Sequence, residues 1–297
     1  MITGIYTTNS IDSTKFILER SGATIVVVDD AKQMEKVREI KKQMPHLKVI
    51  IQTREPYAET SQGFYTWDEL ALMDTDDVEQ EYLNRRADIA ANDCCSLIYT
   101  SGTTGHPKGV MLSHDNLVFV SKSGCKFEGM KAPEVVVSYL PLSHIAAQIV
   151  DIYACLFCAG TTYFAERDAL KGSLAKTLKS VRPTRFLGVP RVYEKMQEKM
   201  MQIGSRQNCL MRAIAGWAKG VALQHHLDRM AGKNPSSFQY QIAKKFILSK
   251  VKLALGFDRC LTFASGAGMI KNCYTSHVFL SAHYELLFFY VCCELRR

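Results

Sequence analysis

Short apolar, β-branched runs alternate with amphipathic stretches along the first half of the chain. Residues 24–28 (TIVVV) and 48–52 (KVIIQ) have the compact apolar pattern of buried strands. Between them, residues 31–43 are polar except at positions spaced for one buried helix face. A strand, a helix and a second strand at this spacing predict a βαβ unit with parallel strands.

The same alternation continues along the chain. The remaining predicted strands are residues 95–100, 135–140, 161–164, 185–189 and 259–264. One predicted helix begins near Ser113, which has the side chain of an N-cap residue. Further helices are predicted at 145–158, at 170–181 and over most of 192–255. Residues 57–93 are more polar and include an acidic run that we expect to be a solvated loop. The predicted fold class is α/β, with mostly parallel sheets flanked by helices.

The composition is that of a folded protein and limits the chemistry. The chain has 297 residues, 47% hydrophobic and 22% charged, which excludes disorder as the default. A net charge of +8 suits anionic partners, although a solvated lysine-rich surface explains it equally well. We find no secretory signal, so the ten cysteines are expected to be reduced thiols. Cys155 and Cys158 form a lone C-x-x-C, which lacks the second ligand pair of a zinc site, and no metal ligand is predicted.

Apolar runs long enough to span a membrane, about 18–20 uninterrupted residues, are not found. Residues 278–293 come closest but contain His283 and Glu285. Membrane contact is therefore predicted to be peripheral. Four lysines between residues 244 and 252 lack the interleaved aromatic residues of a base-stacking surface. Solvent, coenzyme A or anionic lipid is therefore favoured there, and nucleic acid is not a predicted partner.

The strand at 95–100 leads into a loop rich in glycine and hydroxyl groups, YTSGTTGHPKGV (residues 99–110). Glycines let the backbone turn and approach a ligand closely, and hydroxyls with exposed N–H groups suit phosphate oxygens. Lys108 adds a positive charge. It follows Pro107 rather than glycine, so the loop is not an ordinary P-loop.

A structural turn rich in serine and threonine is the alternative. Such turns rarely combine three glycines, four hydroxyls, a proline and a lysine after a buried strand. The sequence therefore predicts a phosphate-binding loop made of Thr100, Ser101, Gly102, Thr103, Thr104, Gly105, His106, Pro107 and Lys108.

The string YTSGTTGHPKGV resembles the phosphate-binding signature of the acyl-adenylate-forming (AMP-binding) superfamily. Residues 138–144 (SYLPLSH) resemble the strand and turn beside its acyl pocket, and residues 186–195 (FLGVPRVYEK) resemble a segment of long-chain synthetases. Residues 4–10 (GIYTTNS) are most similar to the bubblegum group of long-chain fatty acyl-CoA synthetases. The resemblance covers roughly residues 2–267 and implies a partial N-terminal domain of such an enzyme.

The resemblance implies ATP-dependent activation of a long-chain fatty acid through acyl-AMP, followed by transfer to coenzyme A. The loop from Thr100 to Lys108 would hold the polyphosphate with Mg²⁺. His144 would be catalytic, near the acyl–phosphate junction, whereas a lone histidine more often packs or caps. The start of the family's adenine-side stretch is matched by Ser265, Gly266 and Ala267. The implied location is the cytoplasm, including peripheral contact with the endoplasmic reticulum membrane.

The family pattern stops after Ala267. Gly268 and Met269 stand where the family continues with alanine and proline, and residues 268–297 no longer resemble it. We find neither the segments that supply a magnesium carboxylate and a ribose aspartate nor the small C-terminal domain with its catalytic lysine. We therefore expect a partial AMP-binding domain at 1–267 and a divergent tail at 268–297, with truncation at both ends.

The break after Ala267 leaves two alternatives open. The tail has the character of an alternative transcript or a wrong reading frame, and a membrane-docking tail is the other interpretation. For function, the alternative to a ligase is a catalytically incompetent product that at most binds nucleotide or partners.

Overall fold

The computed structural model describes residues 1–54, 62–100, 107–265 and 287–288. They form two compact units. The first comprises the described residues of Met1–Val120 and Pro141–Ile145, and the second those of Ser121–Leu140 and Ala146–Arg297. The α/β class and the mostly parallel strand pairing agree with the prediction.

The first unit contains two three-stranded sheets, in the orders β1–β5–β6 and β2–β3–β4. Its elements are β1 (Ile2–Thr3), α1 (Ile11–Ser21), β2 (Ile25–Val28), α2 (Ala31–Lys41), β3 (Val49–Gln52), β4 (Phe64–Thr66), α3 (Trp67–Ala71), a 3₁₀ turn (Asp76–Val78), α4 (Glu79–Ala87), β5 (Cys94–Thr100) and β6 (Lys108–Ser113). Helix α5 (His114–Phe127) begins in this unit and ends in the second.

The predicted βαβ unit is confirmed. Strands β2 and β3 pair in parallel, with Ile25 opposite Val49. Helix α2 begins after Asp30, whose side chain accepts a hydrogen bond from the Gln33 N–H. The helix buries the apolar face that its spacing predicted, in a core formed by Leu18, Val28, Met34, Val37, Ile40, Met44, Leu47 and Ile50. Each such side chain contributes roughly 1.5–3 kcal/mol by leaving water.

The polar region at 57–93, for which we predicted no helix or strand, contains a strand and two helices among its described residues. Strand β4 pairs in parallel with β3. Thr66 and Glu69 then form a capping box that starts α3. Helix α4 buries none of its residues, so its sequence has no apolar periodicity to reveal it. The acidic run before α4 is exposed, as expected for a solvated segment.

The second unit contains the sheets β7–β8 and β9–β10–β11, all parallel. Its elements are β7 (Val135–Ser138), α6 (Ile145–Ala147, beginning at the unit boundary), a π-helical segment (Gln148–Tyr153), α7 (Ala154–Phe157), β8 (Thr161–Phe164), a 3₁₀ turn (Ala169–Lys171), α8 (Leu174–Val181), β9 (Arg185–Gly188), α9 (Pro190–Ser205), α10 (Cys209–Met230), α11 (Phe238–Ala243), a second π-helical segment (Lys244–Leu248), α12 (Ser249–Leu255), β10 (Thr262–Ser265) and β11 (Leu287–Phe288).

Aromatic rings fill the core of the second unit. The Phe186 ring lies 5.0 Å from that of Phe257 and stacks on Tyr139 at 5.6 Å. Gly256 ends α12 with φ +80°, and a Cβ there would lie 2.2 Å from the Leu178 carbonyl oxygen, so only glycine fits. The predicted helix at 170–181 begins only at Leu174, because the chain turns at Gly172 with φ +145°.

The long helical region predicted from residue 192 onward is confirmed and divides into three helical stretches. Asn208 caps α10 and Ser237 caps α11, each accepting a backbone N–H of the first turn. The last stretch runs unbroken from Phe238 to Leu255 through the second π-helical segment. Of the helices that the structure describes, none is both long and apolar enough to cross a membrane.

Candidate nucleotide-binding site

The predicted phosphate loop joins two strands of an antiparallel hairpin. Strand β5 pairs with β6 so that Thr100 lies opposite Lys108 and Tyr99 opposite Gly109. The Thr100 hydroxyl donates to the Lys108 carbonyl oxygen at 3.5 Å. The hairpin therefore holds the two ends of the loop side by side. The loop residues between these ends, Ser101, Gly102, Thr103, Thr104, Gly105 and His106, lie outside the described residues.

Strand β6 was missed by the sequence analysis, which placed a helix directly after the loop. At the loop end of the hairpin, Thr100 of β5 and Lys108 of β6 are both exposed, whereas Tyr99 of β5 is half-buried. A Cβ on Gly109 would lie 3.1 Å from the Tyr99 ring, so the glycine lets that ring pack against the opposite strand. Burial raises the pKa of the Tyr99 phenol, which therefore stays neutral and serves as packing.

The helix after the hairpin begins where the sequence predicted. Ser113 accepts the Asn116 N–H at 3.2 Å, and the Asn116 side chain accepts the Ser113 N–H at 3.1 Å. This reciprocal pair resembles a capping box and fixes the start of α5 at His114.

The opening residues of the chain lie along β5 on the side opposite β6. Strand β1 pairs in parallel with β5, and the Thr3 hydroxyl donates to the Leu97 carbonyl oxygen at 2.9 Å. Gly4 then meets Ser143. A Cβ on Gly4 would lie 2.7 Å from the Ser143 Cα, closer than two such carbon atoms come in folded proteins. The missing side chain at Gly4 thus allows residues 141–145 to approach the hairpin.

A cavity of about 380 Å³ lies at this junction, within the usual size range of small-ligand pockets. Its walls come from the opening segment, the loop ends and residues 143–145: Gly4, Tyr6, Asn9, Ile17, Ile98, Tyr99, Thr100, Pro107, Ser143, His144 and Ile145. The structure therefore brings Thr100, Pro107 and His144 together. The His144 N–H donates to the Pro141 carbonyl oxygen at 3.0 Å, which closes a turn that presents an exposed imidazole.

A larger cavity of about 540 Å³ lies in the same unit, between the opening residues and β2. It is lined by none of the predicted site residues. Of these two cavities, the smaller one borders the described ends of the loop, Thr100 and Pro107.

Ser265, the first predicted adenine-side residue, ends β10 in the second unit, opposite Gly188 of β9. Its side chain is buried, and within the described residues its hydroxyl has no hydrogen-bond partner. Gly266 and Ala267 lie outside the described residues. Sequence reasoning missed the structural role of Tyr193, whose hydroxyl donates to the Ala264 carbonyl oxygen at 2.8 Å.

Tyr193 explains part of the segment at 186–195. A Cβ on Gly188 would lie 2.6 Å from its ring, so this glycine makes room for it. The ring is fully buried and joins α9 to the end of β10, directly before Ser265. A glycine and a tyrosine five residues apart were the only signal in the sequence, and spacing alone does not reveal such a contact.

The thiols of Cys125, Cys155 and Cys158 lie in the second unit, and burial raises the pKa of Cys125 to about 11. Burial also raises the pKa of Cys155, so the thiols of Cys125 and Cys155 remain protonated. In the described ranges, no group of three or more His, Cys, Asp or Glu side chains is placed to hold a metal ion.

Comparison with known proteins adds a family match. A family model described as "AMP-binding enzyme" matches residues 1–242. The chain is 46% identical over 290 residues to Long-chain-fatty-acid--CoA ligase ACSBG2 of Xenopus laevis, covering 95% of this chain and 39% of that protein. It is 40% identical over 292 residues to human Long-chain-fatty-acid--CoA ligase ACSBG1, covering 96% and 40%. The Drosophila melanogaster ligase heimdall is 39% identical over 275 residues, covering 90% and 40%. The chain thus spans about two fifths of the length of these relatives.

Solved structures share the fold at lower identity. The A-PCP didomain of carboxylic acid reductase from Segniliparus rugosus, in complex with AMP, matches with a TM-score of 0.62 and 22% identity. That match covers 96% of this chain and 38% of the didomain. ATP-bound MatB from Rhodopseudomonas palustris matches with a TM-score of 0.57 and 19% identity, over 96% of this chain and 43% of MatB.

Proposed function

Because the chain belongs to the AMP-binding enzyme family, we propose that it supplies the phosphate-binding part of a long-chain fatty acid–CoA ligase. In the proposed reaction a fatty acid carboxylate attacks the α-phosphate of ATP, and acyl-AMP and pyrophosphate form. The thiol of coenzyme A then attacks the acyl carbonyl and displaces AMP. The observation that carries this proposal is the shared cavity of Thr100, Pro107 and His144 at the ends of the loop.

The main demand of the first step is to hold and neutralise a polyphosphate. We assign this role to the loop from Thr100 to Lys108. The hairpin supports the assignment, because it fixes both loop ends before any ligand arrives. The exposed ammonium group of Lys108 offsets the negative charge on the β- and γ-phosphates and on the departing pyrophosphate.

His144 is proposed to contact the acyl–phosphate junction. The placement is supported by its exposed imidazole, by its position in the cavity wall and by its backbone, which the Pro141 carbonyl oxygen holds. For the adenine side we propose Ser265, Gly266 and Ala267. The buried Ser265 hydroxyl supports this choice, since a buried donor is costly until it is satisfied.

The remaining parts of the proposal concern Mg²⁺, coenzyme A and location. Mg²⁺ usually binds through one or two carboxylates together with substrate phosphates. We propose that the polyphosphate held by the loop supplies part of the ligands of Mg²⁺. We also propose that the protein is cytoplasmic, with peripheral contact to a membrane such as that of the endoplasmic reticulum. We further propose that the AMP-binding domain ends at residue 267 and that residues 268–297 form a separate tail.

A second candidate function is nucleotide binding without completed acyl-CoA synthesis. The observation behind it is the break in the family pattern after Ala267, where Gly268 and Met269 follow. The two candidates differ in whether oleate drives exchange of pyrophosphate into ATP.

The test measures ATP affinity by calorimetry for the wild type and for Lys108→Ala. Losing one charged contact costs about 1.5–3 kcal/mol, so affinity should fall roughly 10- to 100-fold. Lys32→Ala, an exposed lysine on α2, is the matched control and should bind ATP normally. Unchanged ATP affinity in Lys108→Ala would show that the loop is not engaged.

The same preparations separate the two candidate functions. Oleate-dependent pyrophosphate exchange that is lost in Lys108→Ala supports the ligase. ATP binding without exchange, and without oleoyl-CoA formation, supports the second candidate.

A further inference from the structure

The positive charge of the chain is concentrated in one helical segment. Residues 206–255 contain nine Lys or Arg residues and one acidic residue, Asp228. The whole chain has 37 basic and 29 acidic residues, so 28 of each remain elsewhere and cancel. The net charge of +8 therefore belongs entirely to this segment.

The last helical stretch of this segment has one side in the protein interior. Tyr240, Ala243 and Leu248 are buried, and the Tyr240 ring stacks on His225 of α10 with 3.7 Å between the ring centroids. Tyr240 and Leu248 also form a small core with Ala222. These contacts fix which side of the helix faces outward.

The outward side of this stretch combines apolar and cationic residues. Phe238, Phe246 and Leu253 are 79%, 58% and 58% exposed, and Ile242 lies one turn after Phe238. Lys245 and Lys250 are also exposed, and the Lys245 Nζ lies 5.5 Å from the centre of the Phe246 ring. We call these six residues the basic helical face.

We propose that the basic helical face docks on an anionic lipid surface. Large apolar side chains at helical spacing can enter the boundary between headgroups and acyl chains. Lysines beside them can extend their amines to lipid phosphates while their methylene stems remain in the apolar layer. Both features are present on one face, and the charge of the segment is complementary to such a surface.

The apolar residues favour lipid over nucleic acid as the occupant. Two of the four, Ile242 and Leu253, are aliphatic and offer no ring on which a base could stack. Insertion into an acyl layer uses aliphatic and aromatic side chains alike. This inference rests on the membrane contact proposed above and names its surface, but it does not depend on the phosphate loop.

The test is co-sedimentation of the full chain with vesicles of phosphatidylcholine alone or with 30% phosphatidylserine, a composition we choose for its negative charge. Binding should require phosphatidylserine and weaken in high salt, because screening shortens the reach of the charges. Lys245→Glu with Lys250→Glu should weaken binding by about 25-fold or more, since each lysine near the surface is worth about fivefold. The matched control is the double variant Lys32→Glu with Lys176→Glu, which changes two exposed lysines outside the basic helical face and should bind vesicles more tightly than the Lys245 and Lys250 variant.

A second pair of variants tests the apolar part. Phe238→Ser with Phe246→Ser should weaken binding, whereas Phe119→Ser with Phe127→Ser, at exposed positions of α5, should not. Circular dichroism checks that each variant folds, and the lysine pair decides alone if the phenylalanine pair does not fold.

Several results would overturn the proposal. They are equal binding to neutral vesicles, equal loss in the control variants, tighter binding to a single-stranded RNA than to vesicles, and a dimer that the Phe238 and Phe246 changes dissociate. ATP affinity is measured on the same variants. Normal ATP affinity with lost vesicle binding would separate this face from the nucleotide site.

Discussion

Replacing Gly4 by alanine should disturb the nucleotide cavity more than it disturbs the fold. The added Cβ would lie 2.7 Å from the Ser143 Cα and 3.0 Å from its Cβ, whereas ordinary van der Waals separations begin at 3.4 Å. The segments at residues 4 and 143 must therefore move apart by about the difference, 0.7 Å. Crowding of this kind typically costs about 1–3 kcal/mol. Because both residues line the cavity, the strain falls on the site itself.

The expected result is a weaker interaction with ATP. If ATP binding must return the displaced residues to their places at a cost of about 1.4 kcal/mol, the Kd for ATP rises about tenfold. The turnover of oleate-dependent pyrophosphate exchange should fall further, because a misplacement of about 1 Å can cost about 100-fold in rate. Calorimetry gives the affinity, and urea unfolding gives the accompanying loss of stability.

Gly22→Ala is the matched control. Gly22 ends α1 with φ +65°, and a Cβ there has no atom within 4 Å. Alanine in this left-handed conformation costs about 1–2 kcal/mol of stability without displacing anything at the cavity. The two variants should therefore lose similar stability and differ in ATP affinity. Equal ATP affinity in both would refute the reasoning, as would a full recovery by Ser143→Gly, because that change leaves the backbone of residue 143 at 2.7 Å from the added carbon.

Two predictions concern buried charges of the second unit. Arg185→Met removes the cation that contacts Glu134 at 3.0 Å and Glu128 at 3.2 Å, so urea unfolding should show a loss of about 3–5 kcal/mol, partly recovered when both glutamates become glutamine. Burial raises the pKa of Asp151 to about 6 from its ordinary 3.8, against an opposing hydrogen bond from Ser138. The folded protein therefore loses stability as pH rises from about 4 to 6, because the buried carboxyl group must ionise. The free energy of unfolding of Asp151→Asn should exceed that of the wild type by about 3 kcal/mol at pH 7.5 and should not exceed it at pH 4. Parallel stability profiles of the two proteins would contradict this.

Local signals in the sequence were enough for much of the fold. The βαβ unit was predictable because α2 has both a capping aspartate and a regular apolar face. Helix α4 was not, because it buries nothing and is held by the polar side chains of its own turns. Strand β6 forms through its pairing with β5, which depends on the partner strand rather than on its own mixed pattern.

For the candidate site, the structure brings Thr100, Pro107 and His144 to one cavity, and their roles stay predictions. A continuous motif located Thr100, Pro107 and Lys108, and resemblance added His144. The contact between Gly4 and Ser143 joins residues far apart in the chain, and neither residue type indicates it. Tyr193 was hidden for the same reason, since its partner Ala264 lies on another strand. Tertiary contacts decide such roles, and spacing along one sequence does not encode them.

The pairing of Thr100 with Lys108 would also link occupancy of the proposed nucleotide site to the lifetime of the hairpin. A nucleotide bound to both Thr100 and Lys108 would act as a clamp on β5 and β6, because the strands part at this end only when this pair separates. By mass action, a ligand at about 100 times its Kd adds about 2.7 kcal/mol to the free energy of any opening that destroys its site. Rupture of the hairpin would then become about a hundredfold rarer, and the cellular concentration of ATP would set how often these two strands separate.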